Sequence, residues 1–349
     1  MLNYFLRKIF YGLLVLAGVV TLVFWMFQGF GDPARMVMGQ TGDSATITNI
    51  KKDLYLDQPK WKQFLLYVND VSPIAVHSKE GIDKKELSGL FIGGATNLAI
   101  KVPYLRKSYL TKKEVWDVLM EALPGTMMLA AAAMLLATIL GITLGVIAAV
   151  KKDSWMDTLS VFTSILGISA PSFFMGILIA YLFGFVLSNY TGLNMTGSWF
   201  DIDVQTGEKK LTLHNLILPA ITLGIRPLAI ITQLTRSAML DVLNQDFVRT
   251  AYAKGLSKRT VIWKHALRNA LNPVITAVTG WFAELLAGAF FVEYIFGWRG
   301  IGKVTVDALE KLDYPVVMGS VLLSAFIFVL INILADVLYG VVDPRVRVK

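Results

Sequence analysis

The 349-residue chain contains no cysteine and only three histidines. Without thiols it can build no disulfide, thiolate metal site or cysteine nucleophile. His77, His214 and His265 are scattered, without metal-ligand spacing. Neither G-x-S-x-G nor H-E-x-x-H occurs, which leaves serine and zinc hydrolysis without a site. Charge is scarce as well: 17% of residues are Asp, Glu, Lys or Arg, against 55% apolar. That balance is too apolar for an ordinary soluble domain and indicates a polytopic membrane protein. The formal net charge of +8 does not read as nucleic-acid binding, because the basic residues mostly sit beside or between apolar runs. Anionic lipid headgroups and loop orientation account for it.

What is present is a series of long uncharged runs. Arg7 and Lys8 precede residues 9–27, an uncharged run long enough to cross a hydrocarbon core of about 30 Å. A signal peptide competes with that reading. The run is long for one, and no A-x-A-like cleavage site follows. Residues 1–28 are therefore expected to form an uncleaved first helix with its amino terminus inside. Residues 29–119 are mixed and polar, an extracytoplasmic loop or small domain. Thirteen Lys and Arg between Arg35 and Lys113 would favour the inside. Loops longer than about 60 residues translocate largely regardless of charge, so the placement stands. Further spans are expected at 122–150, 159–187, 213–236, 272–296 and 314–339, forming a core over 120–340. Gly141 and Gly145 offer a small-residue pair for close helix approach. Lys151 and Lys152 mark an inside end. Pro171 interrupts the third span, as a packing kink or as a bend lining a pathway. The basic tail at 341–349 returns inside, giving a multi-pass protein with both termini cytoplasmic.

The most informative stretch is the polar island at 246–273. It carries Arg249, Lys254, Lys258, Arg259, Lys264 and Arg268 against Asp246. Two segments of helical character, 245–254 and 258–269, flank Gly255, and glycine ends helices easily because it tolerates positive φ. A short amphipathic pair at the polar surface of the membrane is expected. A basic loop between spans is usually just a cytoplasmic loop obeying the positive-inside bias. The residue order says more. R-T-A-x-A-K-G-L-S-x-R followed by H-A-L-R-N-A-L-x-P resembles the cytoplasmic coupling loop of ABC importer permeases, in the dipeptide/oligopeptide/nickel branch. The wider superfamily has Glu-Ala-Ala followed by Gly; the matching positions here are Arg249, Thr250, Ala251 and Gly255. Gly31-Asp32-Pro33, Leu56-Asp57-Gln58-Pro59, Pro171-Ser172-Phe173, the passage from Glu293 to Gly302, Asp313-Tyr314-Pro315 and Asp343-Pro344-Arg345 resemble the same branch. Over 72–108 the resemblance lapses.

The resemblance implies an all-α membrane protein with six transmembrane helices in the type I ABC importer fold, placed in the cytoplasmic (inner) membrane. It implies a permease subunit for peptides or a similar small solute, not an enzyme. The implied partners are a homologous second permease, two ABC ATPase subunits and an extracytoplasmic solute-binding protein, besides membrane lipid. ATP and Mg would be bound by the ATPases, with no cofactor on this chain. The coupling residues implied in the loop are Arg249, Thr250, Ala251, Lys254, Gly255, Leu256, Arg259, His265 and Arg268, with Gly255 at the docking elbow. The residues from Gly297 to Lys303 fit G-x-x-x-x-G-K, but Val304 stands where a phosphate-binding loop needs Ser or Thr. An ion-coupled secondary transporter would usually show inverted repeats, and none is evident. A membrane scaffold without transport would keep the same spans.

Two ionisable residues fall well inside apolar spans: Arg226 and Glu284. Such residues are costly in lipid and normally face a partner or a water-filled path. Arg226 lies about 15 Å along a helix from Arg236, and Glu284 about 16 Å from Pro273. The matching depths suggest an intramembrane pair between the fourth and fifth spans.

Overall fold

The structure is a computed structural model that describes residues 2–28, 55–202 and 209–342. Gly31-Asp32-Pro33 and Asp343-Pro344-Arg345, with the rest of the basic tail beyond Val342, lie outside the described residues. The chain divides into two compact units: Leu6–Ala122 with Val304–Phe326, and Met1–Phe5 with Leu123–Lys303 and Ile327–Lys349.

Among the described residues, five helices are long and apolar enough to cross a membrane: Leu6–Gln28, Val115–Val150, Leu213–Leu243, Lys258–Ala287 and Tyr314–Ala335. A sixth crossing requires two helices together, Trp155–Ser169 and Ser172–Val186, which meet at 109°. Pro171 sits in that break with φ −60° and ψ 135°, extended backbone that cannot continue a helix. The expected kink is therefore a full break.

The unit containing Leu6–Ala122 holds most of α1 (Leu2–Gln28) and α2 (Lys60–Val71), followed by a small sheet. Phe24 of α1 meets Phe64 and Tyr67 of α2, with ring centroids 5.3 and 5.7 Å apart. Strand β1 (Ile74–Ser78), helix α3 (Lys79–Lys85), β2 (Gly89–Gly93) and β3 (Thr96–Lys101) follow. They form an antiparallel sheet in the order β1-β3-β2. The stretch over 72–108 thus adds strands to an otherwise helical expectation. Beneath it, the buried Asp70 carboxylate accepts from Tyr55 and is paired with Lys85. The opposite face carries Ile74, Val76, Leu90, Ile92, Leu98 and Ile100, all exposed. In register they form two cross-strand rows, Ile74–Ile100–Leu90 and Val76–Leu98–Ile92.

The other unit contains the body of the spans. Its elements include α4 (Val115–Val150, from Leu123 onward), α5 (Trp155–Ser169), α6 (Ser172–Tyr181), α7 (Ile217–Leu243), α8 (Asp246–Ala253), α9 (Leu267–Gly288) and α10 (Phe290–Ile295). Its core joins Leu129 and Ala133 of α4, Ile179 of α6, Leu223 and Ile231 of α7 and Leu285 of α9. Small residues set the approach of α4 to α7. A Cβ on Gly145 would lie 2.6 Å from Thr235 Cβ and 2.7 Å from the Thr232 carbonyl oxygen. Helices pack in membranes largely through such close contacts.

Two boundaries differ from the sequence expectation. The fourth helix continues past Arg236 to Leu243. The fifth span does not run through Phe296: its helix ends at Gly288 and resumes as the short α10. Glu293 of α10 is buried there and accepts from amides later in the chain.

Candidate functional site

The polar island folds as an elbow. Gln245 is extended and Asp246 stands in the first turn of α8, where a negative charge complements the helix dipole. The helix closes at Gly255, whose φ of +77° lies in the left-handed region. Gly255 N–H donates to the Tyr252 carbonyl at 2.9 Å, and Leu256 N–H to the Ala251 carbonyl at 3.3 Å. This crossed pair is the Schellman ending, which favours glycine at the turn. Ser257 caps the next segment, accepting from Thr260 N–H at 3.3 Å. That segment is not a separate helix ending near Asn269. A wide π turn over Val261–Ala266 carries it directly into α9.

Val248, Val261, Ile262 and Ala266 seat the elbow on Val146 and Ala149 of α4 and on Met239 and Val242 of α7. The base of the elbow is thus packed on the ends of two spans. Arg249, Thr250, Lys254, Gly255, Leu256, Arg259 and Arg268 are exposed, and His265 is half-buried. Ala251 departs from the expectation: it packs inward with this core, because its position on α8 shares the buried face of Val248. Phe247, Tyr252 and Trp263, which sequence reasoning missed, are exposed beside the basic residues. Their signal was an aromatic among charges at the elbow. The Arg249–Asp246 contact at 3.6 Å is a surface pair of little energetic weight.

A firmer ionic tie lies nearby. Arg236 of α7 grips Asp157 of α5 with two hydrogen bonds, Nε to Oδ1 at 2.5 Å and a terminal nitrogen to Oδ2 at 2.7 Å. Asp153 N–H donates to the same carboxylate at 3.1 Å. Bidentate pairing of this kind fixes orientation as well as distance.

Deeper in the spans, Arg226 and Glu284 line one cavity of about 190 Å³, bounded by α5, α6, α7 and α9. Both are exposed on this chain. Among the described residues no ion pair joins them. The Arg226 guanidinium instead lies over the Trp281 ring, 5.5 Å from its centroid. Facing lipid, each charge would cost about 2.5–3.5 kcal/mol at mid-membrane. Ala170 and Ser172, on either side of Pro171, line the same cavity. Broken backbone at membrane depth is tolerated where it borders such a space.

Glu293 was not singled out from the sequence as a residue with a role in the fold. It is fully buried. Thr126 Oγ1 donates to its Oε1 at 2.7 Å, and Lys303 N–H to its Oε2 at 3.1 Å. Thr126 in turn accepts from Ile301 N–H at 2.8 Å, and buried Trp298 donates to the Gly125 carbonyl at 2.9 Å. A Cβ on Gly300 would strike the carboxyl at 2.4 Å. The G-x-x-x-x-G-K stretch therefore closes on a carboxyl of its own chain. Burial pushes the Glu293 pKa up to about 7, against the lowering effect of its hydrogen-bond donors.

The described residues thus form a broken-span helical bundle with a basic, aromatic elbow seated on two spans, the architecture of a membrane-spanning subunit. Residues 141–348 match the family model described as binding-protein-dependent transport system inner membrane component. Residues 1–130 match the corresponding amino-terminal model. The chain belongs to this family. It is 35% identical to the dipeptide transport system permease protein DppB of Escherichia coli, over 100% of both chains. It is 36% identical to the di/tripeptide transport system permease protein DppB of Pseudomonas aeruginosa, over 99% of each. It is 33% identical to the glutathione transport system permease protein GsiC of Escherichia coli, over 100% of both. Among solved structures, the inward-facing MetNI methionine ABC transporter matches with a TM-score of 0.51 and 15% identity, covering 65% of this chain and 97% of that one. The fold is thus the type I ABC importer transmembrane fold.

Proposed function

We propose that this chain is a peptide-passing permease subunit of an ATP-driven importer in the cytoplasmic membrane, with both termini inside. Full-length similarity to dipeptide, di/tripeptide and glutathione permeases supports the solute class. A second permease, two ATPases and an extracytoplasmic solute-binding protein complete the assembly. ATP and Mg are bound by the ATPases, and this chain makes and breaks no covalent bond. The observation that carries the coupling role is the Gly255 elbow, exposed at its tip and anchored at its base on α4 and α7. Closure of the ATPase dimer moves the elbow, and the spans rock about the central path.

Gly255 separates conformation from bulk. An added Cβ meets nothing within 4 Å, but φ is +77°. A β-branched residue there is strained by about 1–2 kcal/mol, whereas Asn tolerates the left-handed region. Gly255→Val is expected to insert normally yet lower peptide uptake per ATP hydrolysed, with Gly255→Asn close to the parent. Because the chain has no cysteine, Leu256→Cys supplies a unique thiol for crosslinking. It is expected to capture an ATPase subunit. Absence of any ATPase adduct, together with normal coupling in Gly255→Val, would remove the elbow from the mechanism.

A further inference from the structure

We propose that the cavity bearing Arg226 and Glu284 is a station on the solute path that holds a zwitterion by its two ends. The solute carboxylate meets Arg226, and its ammonium meets Glu284. The proposal rests on the peptide reading above and adds to it the residues that contact the solute.

Three observations converge on the cavity. Opposite charges from α7 and α9 border it, yet among the described residues no ion pair spans it. Two charges held only for packing would be expected to neutralise each other directly, as Arg236 and Asp157 do. Second, the Trp281 ring supports the Arg226 guanidinium at 5.5 Å. A guanidinium held through its face keeps its in-plane N–H donors for a carboxylate. Third, the break at Pro171 places Ala170 and Ser172, at the irregular backbone, on the cavity wall. Thr222 also lines it, but its hydroxyl is committed to the Leu218 carbonyl at 2.9 Å. The charged side chains therefore dominate recognition.

The size fits a passing station rather than a closed site. The volume is about 190 Å³, below the roughly 300–1,000 Å³ of pockets that enclose a small ligand. Charged ends common to all free peptides are gripped, and side chains remain outside. Selection among peptides is left to the receptor.

The test uses the complete complex with its receptor in proteoliposomes. Uptake of a free dipeptide is compared with that of its C-amidated and N-acetylated forms at receptor-saturating concentrations. For each peptide the variant-to-parent ratio is read, so the receptor's own preference cancels. Arg226→Gln should lower free-dipeptide uptake about tenfold, the scale of one lost charged hydrogen bond, and leave the C-amidated ratio near one. Glu284→Gln should lower free-dipeptide uptake similarly and leave the N-acetylated ratio near one. Arg226→Lys, which keeps the charge but not the planar donors, should fall between the parent and Arg226→Gln in discrimination, and co-purification with the ATPases verifies assembly of every variant. Equal losses for free and blocked peptides in assembled variants, or no loss, overturn the station while the peptide reading survives. A parent complex that imports none of the peptides overturns both.

Discussion

At the scale of single residues, Glu293 places two opposing demands on one carboxyl. Its donors, the Thr126 hydroxyl and the amides of Gly302 and Lys303, suit an anion, while complete burial favours the neutral acid. Desolvation dominates and lifts the pKa from 4.5 to about 7. The folded state therefore holds the proton more tightly than the unfolded chain. The resulting stabilisation is fully present below pH 4.5 and is lost as pH rises through about 7. It is on the order of 3 kcal/mol. Thermal melts of the purified chain should accordingly shift downward between pH 5.5 and pH 8. Glu293→Gln, which mimics the neutral acid, should flatten that slope. Glu293→Ala should destabilise at every pH, since each orphaned buried donor costs about 1–3 kcal/mol. A slope unchanged in the Gln variant would assign the titration elsewhere. Gly255 and Glu293 also show what the sequence discloses at this scale. A glycine between basic helical segments announces its own conformation. A glutamate ending an apolar run reads as an exit to water, because its partner Thr126 lies 167 residues away.

Elements were legible where their signal is local and opaque where it depends on a partner. The uncharged runs and Pro171 could be read directly; the 109° angle of the break could not, because both arms pack on α7, distant in sequence. The sheet over 72–108 was hidden for a different reason. Its alternation is inverted, with Ala75 and His77 buried while Ile74 and Val76 face outward. A reading from polarity would choose the wrong face. The Gly141 and Gly145 pair was visible, but not its partner. In the structure Gly145 abuts backbone and Cβ atoms of α7, which have little freedom to retreat. Gly145→Val should therefore separate α4 from α7 at a cost of about 1–3 kcal/mol, the usual scale of overpacking. A Cβ at Gly18 of α1 meets nothing within 4 Å, so Gly18→Ala is the control and should be neutral or slightly stabilising. Melting temperatures of the two variants in detergent decide the matter, and equal shifts would contradict the close approach.

For the whole molecule the outcome turns on whether the bent pair at Pro171 crosses the membrane. Its two arms are together long and apolar enough for one span. A chain re-entering on the side it came from would leave five crossings among the described residues, and the elbow would lie opposite the side the coupling model requires. One crossing by the pair restores six and returns Gly255 to the side of Lys151 and Lys152. Trp155, Tyr190 and Leu256 are all exposed and bracket the two possibilities. Introduced singly into this cysteine-free chain, thiols at the three positions report their sides through a membrane-impermeant maleimide. Trp155→Cys and Leu256→Cys should label only after the cytoplasmic face is opened, and Tyr190→Cys in intact cells. The basic residues of the elbow favour this orientation through the positive-inside bias. Labelling of Tyr190→Cys on the same side as Trp155→Cys would make the pair re-entrant. A motor on the cytoplasmic side would then have no handle at Gly255, and the mechanical link from nucleotide to spans would have to enter elsewhere.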